Sequence, residues 1–228
     1  MAIFSKEEAK KILDKVVGLS KAESCEANLN GSVGGNIRYA RNSVSTAGEN
    51  SDVTLVVQAN YGKKMGTATI NEFDDASIEK VVRRAEELAS LAPENPEFMG
   101  PLAQQTYGES KTYSESTAKI TPDYRAQAAA NSINPASAKD VTAAGFLEDN
   151  NSFAAMSNSK GLFAYNKATD VNFTVTMRSN DGTGSGWVTR DFNDVSKLDT
   201  AEASGLQLTK HCNLEMQRLL SPENTPLY

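Results

Sequence analysis

The run Asp52-Val53-Thr54-Leu55-Val56-Val57-Gln58-Ala59-Asn60-Tyr61 decides how the chain is read. Val53, Leu55, Val57 and Ala59 fall on one side of an extended backbone, and Thr54, Gln58 and Asn60 on the other. A period of two predicts a strand with one face buried. Gly62 then turns the chain into a second strand over Lys64–Ile70. Upstream, the alternation predicts strands over Cys25–Gly31 and Asn36–Thr46, with Gly34-Gly35 as the hairpin turn between them. Helices flank this block. Ser5 and Glu8 form a capping box ahead of Ala9, Ile12, Leu13, Val16 and Val17, which predicts a helix over Ser5–Leu19. Asp74 or Asp75 caps a second helix, whose apolar positions from Ile78 to Ala92 keep a 3.6-residue period until Pro93. Helix, strands and helix make an α+β unit, an antiparallel sheet with helices packed on one face.

Residues 93–120 carry Pro93, Pro96 and Pro101 among small polar residues, the composition of a connection. Thr121-Pro122 opens a short Ala-rich helix to about Ser132. A second β-rich block follows, with strands over Val141–Glu148, Phe153–Ser157, Leu162–Ala168, Val171–Arg178 and Ser185–Arg190, the last two joined by a turn at Asn180-Asp181-Gly182. A final helix is expected over Leu198–Lys210. The expected division is therefore an α+β domain over 1–100, a connecting segment over 101–120, a β-rich region over 121–211 and a tail over 212–228.

Composition removes several functions. The 228 residues hold one histidine, His211, and two cysteines, Cys25 and Cys212. Hydrolytic zinc sites generally need two imidazoles, and an activated Ser or Cys needs one. The two distant cysteines form no CxxC, which argues for a reducing compartment. Twenty-nine acidic against 23 basic residues give a net charge of −6, the wrong sign for a phosphate-binding surface, so direct nucleic-acid binding is not expected. The charged N-terminus has no signal-peptide pattern, and no apolar run approaches the ~20 residues that span a bilayer, so the expected location is the cytoplasm.

No HExxH, GxSxG or P-loop is present, and neither a catalytic nor a metal-binding residue is assigned. Gly182-Thr183-Gly184-Ser185-Gly186 joins two strands and does not open a helix, which makes it a hairpin and not an anion cradle. Asp74-Asp75 and Glu86-Glu87 sit at a helix start and on a polar helix face, where solvated charge is expected. Cys25 reads as an inert apolar side chain. The candidate binding residues are Arg38, Arg41 and Asn42, placed on a predicted strand that lines a peptide groove or else forms a solvated sheet face.

Residues 36–46 (NIRYARNSVST), 52–58 (DVTLVVQ), 66–75 (GTATINEFDD) and 84–98 (RAEELASLAPENPEF) together resemble the N-terminal domain of the TldD/PmbA metallopeptidase family, in order and spacing. Residues 158–165 (NSKGLFAY), 174–178 (TVTMR) and 181–187 (DGTGSGW) look like that family's middle region, closer to the PmbA-like subunit. The resemblance implies a two-subunit peptidase, named historically as a modulator of DNA gyrase, that cleaves unfolded peptides. It also implies zinc on an HExxxH motif in a C-terminal domain, which this sequence does not contain. The expectation is thus a non-catalytic subunit portion that guides peptides and assembles with a TldD-like partner or a second copy, with zinc in the full-length catalytic partner. The alternative is a self-sufficient module that captures extended peptides by strand addition.

Residues 212–228 match nothing in the family. One codon choice for them, read two nucleotides further on, spells a segment resembling the start of the family's C-terminal domain. A frameshift near Thr209–Cys212 is the corresponding expectation.

Overall fold

The computed structural model describes residues 3–219, with side chains as far as residue 209. Five α-helices and six strands follow one another along it: α1 (Lys6–Leu19), β1 (Ser24–Ala40), β2 (Ser43–Tyr61), β3 (Lys64–Ile70), α2 (Asp75–Leu91), α3 (Glu115–Ala118), α4 (Pro122–Ala138), β4 (Val141–Asn158), β5 (Phe163–Ser179), β6 (Ser185–Phe192) and α5 (Thr200–Leu219), with a 3-10 turn over Val195–Lys197. A single six-stranded sheet has the order β3-β2-β1-β4-β5-β6. The fold is α+β, as the alternation predicts. The succession helix, three strands, helix occurs twice, once in α1–α2 and again in α4–α5, and the sheet order is symmetrical about β1 and β4. No sequence period announces this repeat.

Four strands are longer than the alternation suggests. Gly34-Gly35 is not a hairpin turn, because β1 runs straight through it. The turn lies at Arg41-Asn42. The pairs of strands expected over 141–157 and 162–178 are likewise single strands, β4 and β5. Thr169, one of the polar residues that interrupt the apolar pattern, finds partners instead of turning the chain, whereas Asn151 Oδ1 in β4 is buried without one among the described residues. Thr169 Oγ1 accepts from the Ser114 N–H at 2.9 Å and donates to the Asn193 carbonyl at 2.8 Å.

The described chain falls into two compact units, and the boundaries are not successive in sequence. The first gathers residues 1–33, 51–112 and 151–168, the second residues 34–50, 113–150 and 169–228. In the first unit, the Ser5–Glu8 capping box closes α1 with bonds of 3.2 and 2.8 Å. Asp74 caps α2 by accepting from the Ala76 and Ser77 N–H groups, both at 3.0 Å. Leu13 and Val16 from α1 and Ile78, Val81 and Val82 from α2 cover Leu29, Leu55, Val57 and Phe153 of the strands, all of them buried. Each such side chain contributes roughly 1.5–3 kcal/mol by leaving water. β2 and β3 pair from Leu55–Ile70 to Tyr61–Lys64. Gly66 lets α2 lie on β3, since a Cβ there would come within 2.1 Å of the Ala89 nitrogen.

In the second unit, Thr121 caps α4 and Pro122 takes its first turn, but the helix continues past Ser132 to Ala138. Its buried face carries Arg125, Ala128, Ala129, Ser132 and Ala136. Small side chains let α4 and α5 approach closely enough for Ser132 and Ser204 to share a hydrogen bond of 2.8 Å. β5 and β6 pair from Val171–Phe192 to Arg178–Ser185, across the turn that contains Gly182 with φ of 78°. The helix predicted over 198–210 spans Thr200–Leu219. Of the proposed frameshifted tail, residues 220–228 lie outside the described residues.

Candidate functional site

Arg41 and Asn42 form the two-residue turn between β1 and β2, with φ of 51° and 58°. Positive φ at both positions is the type I′ requirement, which asparagine meets readily and arginine does not advertise. Asn42 is fully used. Its amide donates to the Val141 carbonyl at 2.8 Å and accepts from the Ala143 N–H at 2.6 Å, while its own N–H donates to the Ala143 carbonyl at 3.2 Å. This fastens the turn to the start of β4. Arg41 is exposed at the tip, so the three candidate residues do not share a strand.

Arg38 stands apart from both, on the sheet face of the second unit that the helices leave open. Along β1, Ile37 and Tyr39 are buried while Arg38 is exposed, with its guanidinium 5.7 Å from the centre of the Phe146 ring. Arg38, Ala40, Ala144, Phe146, Thr174 and Thr176 line an open cleft of about 370 Å³. Trp187, the only tryptophan, pairs with Thr176 on the adjacent strand and is 60% exposed. No ion pair holds Arg38 among the described residues. One unpaired cation, two aromatic rings and two hydroxyls can grip an extended chain: the guanidinium takes carbonyls or a carboxylate, and the rings take apolar side chains.

Beneath the opposite face lies a cluster that the sequence reading does not contain. Arg125 of α4 is buried and grips Asp149 of β4 in a fork, with Nε to Oδ1 at 2.6 Å and Nη2 to Oδ2 at 3.0 Å. Nη1 reaches Glu49 of β2 at 2.8 Å. The carboxylate bonds, ahead of burial, hold the guanidinium's pKa above its usual value. The guanidinium lies on the backbone of β1 at Gly35, where a Cβ would come within 2.0 Å of it. The signal was present in Gly34-Gly35, but it marks close approach of a side chain and not a turn. Beside it, buried Tyr39 donates from its hydroxyl to Ser132 Oγ at 2.8 Å, and burial pushes its pKa up to about 12.

In the first unit, Asn28, Asn30, Tyr107, Met156, Tyr165 and Asn166 line a second cavity of about 330 Å³. Cys25 is buried in the core of this unit, and burial raises its thiol pKa, which leaves it unreactive at neutral pH. Among the described residues no three His, Cys, Asp or Glu side chains converge to hold a metal ion. A zinc site of the kind the family resemblance implies therefore does not fit the described part of this chain. No described helix is long and apolar enough to cross a membrane.

Residues 25–89 match the family model described as PmbA/TldA metallopeptidase domain 1. No curated protein matches the chain. Among solved structures, TldE from Thermococcus kodakarensis superposes with a TM-score of 0.78 at 14% identity, covering 91% of this chain and 47% of its own. A candidate modulator of a DNA gyrase from Thermotoga maritima gives 0.77 at 14% identity over 89% and 47%, and one from Bacteroides thetaiotaomicron gives 0.71 at 13% over 92% and 50%. The chain thus spans about half the length of the solved structures it resembles, and their fold is its fold. Over residues 25–89 the chain is thus similar to the first domain of the PmbA/TldA metallopeptidases, and over most of its length it shares the fold of these solved structures.

Proposed function

We propose that this chain is the peptide-guiding and assembling portion of a TldD/PmbA-type peptidase subunit, which presents unfolded peptides to a zinc centre that a full-length catalytic partner supplies. The observation that carries the reading is the open cleft around Arg38, Phe146 and Thr176 on a chain whose first domain matches this metallopeptidase family. Its lining suits an extended main chain and offers neither a nucleophile beside a base nor a metal-ligand set. Peptide guidance fits that chemistry and hydrolysis does not.

Trp187 makes the test direct, because it is the only tryptophan and stands one strand from the cleft. Titration of an unfolded peptide into the chain is expected to change tryptophan fluorescence saturably, and Arg38→Ala is expected to weaken that binding roughly tenfold, the loss of one charge-assisted hydrogen bond. Equal affinity in Arg38→Ala removes the cleft from the reading. Chelator-sensitive cleavage of the peptide by the chain alone removes the non-catalytic role.

A further inference from the structure

The open sheet face of the second unit is electrically lopsided along its strands. Leu147 and Asp149 of β4 are buried, as are Val171 and Met177 of β5, so alternation turns Glu148, Asp170 and Arg178 to the same side as Arg38. All four are exposed. Asp191 of β6 joins them, exposed and in register with Asn172. Thr174, which lines the cleft with Arg38, lies midway along β5 between Asp170 and Arg178. The face is therefore acidic at one end, through Glu148, Asp170 and Asp191, and basic from Arg38 onward to Arg178. Burial raises the pKa of Asp170, and the charges of Asp191 and Asp149 raise it further, against a bond of 3.5 Å from Asn150. Crowded carboxylates behave in this way.

That polarity selects among the groups that Arg38 can take. A peptide with several acidic side chains has to lay some of them over Glu148, Asp170 and Asp191, where like charge repels. A single carboxylate at the end of a chain avoids this. With that end on Arg38, a chain running toward Asp170 presents neutral main chain to the acidic rows. The Arg38 contact with Phe146, 5.7 Å from the ring centre, is made through the π-face of the ring and leaves the guanidinium N–H groups for a carboxylate fork.

The face also runs out beyond Arg38. Only Tyr39 and Ala40 of β1 follow before the Arg41-Asn42 turn. Past the cleft, Thr142 Oγ1 donates to Asn180 Oδ1 at 2.8 Å, and Asn180 Nδ2 donates to the carbonyl and the carboxylate of Asp140, both at 2.8 Å. Polar side chains of the turns thus occupy that end. A peptide crossing Arg38 in mid-sequence meets them within a few residues, whereas one that stops at Arg38 does not. In the other direction, Thr174 to Asp170 gives about 13 Å of strand, room for four extended residues.

We propose that the cleft reads a chain end: it takes the C-terminus of an unfolded peptide, with the terminal carboxylate on Arg38 and the last four residues extended along β5 toward Asp170. This rests on the peptide-guiding role proposed above and names the part of the peptide that is held.

Calorimetric titration of the full chain with three N-acetylated peptides of one neutral, unstructured sequence tests it. The first ends in a free carboxylate, the second in a carboxamide, and the third carries the carboxamide and one aspartate at mid-sequence. The free acid is expected to bind roughly tenfold more tightly than the amide, and the aspartate peptide no better than the amide. Arg38→Gln, at an exposed position, is expected to bring the free acid down to the affinity of the amide, and Arg38→Lys to keep part of the difference. Equal binding of acid and amide by the wild-type chain overturns the proposal; if Arg38→Ala then weakens both, the peptide cleft itself stands. An aspartate peptide that matches the free acid overturns it in favour of side-chain recognition. A difference that persists in Arg38→Gln removes the carboxylate from Arg38 and equally overturns it. Binding of none of the three overturns the peptide-guiding reading and this proposal with it.

Discussion

The two units solve one packing problem with different chemistry. Both lay a pair of helices on one face of the sheet. The first does so with Leu13, Val16, Ile78, Val81 and Val82 over Leu29, Leu55 and Val57, an aliphatic core that needs no orientation beyond shape. The second places Ala128, Ala129, Ser132 and Ala136 of α4 against Tyr39 and Phe173, and buries Arg125, Asp149, Ser204 and Gln207 in the same region. An aliphatic core tolerates exchange of similar volumes. A core built on a fixed cation and directed hydrogen bonds gains specificity of arrangement, but loses heavily when one partner is removed.

That contrast sets the order of expected effects in chemical denaturation of the full chain. Arg125→Ala leaves Asp149 buried without its cation and is expected to cost about 3–5 kcal/mol, the largest loss of any single change here. Leu13→Ala, at a fully buried aliphatic position of the first unit, is expected to cost about 3 kcal/mol. A larger loss at Leu13 than at Arg125 reverses the comparison. Asn42→Ala removes both side-chain bonds that fasten the β1–β2 turn and is expected to cost about 1–2 kcal/mol.

The smallest effect concerns alkali. The Tyr39 pKa is raised to about 12 by burial, ahead of the opposing Ser132 bond, so the phenol stays neutral in the folded chain after an exposed tyrosine has ionised. Its contribution is complete below the unfolded value near 10 and fades as pH rises toward 12. Tyr124 and Tyr113 are also raised, mainly by burial, so phenolate absorbance should show several late-titrating groups, of which the one near 12 is lost in Tyr39→Phe. Titration of every tyrosine near pH 10 contradicts the buried assignment.

The same contrast explains what was legible in the sequence. α1, α2 and the β2–β3 hairpin follow from period and caps because their buried residues are aliphatic, and burial is then the only signal needed. Gly34-Gly35 misleads because glycine serves both tight turns and close approach, and only the position of Arg125, 90 residues away in the chain, separates the two. Glu148-Asp149-Asn150-Asn151-Ser152 likewise has the composition of a turn, yet it lies within β4, since Arg125 neutralises Asp149. At the candidate site, Arg38 is readable from its alternation with Ile37 and Tyr39. Asn42 is not, because its role depends on carbonyl and N–H groups of β4.

The claim that the second unit is organised around its buried ion pair is tested most directly by a double-mutant cycle on Arg125→Met and Asp149→Leu, read as unfolding free energies of the full chain. The account predicts that each single change costs about 3–5 kcal/mol and that the pair together costs less than the sum by at least about 2 kcal/mol, because the double variant leaves neither charge buried alone. Additive losses would contradict it.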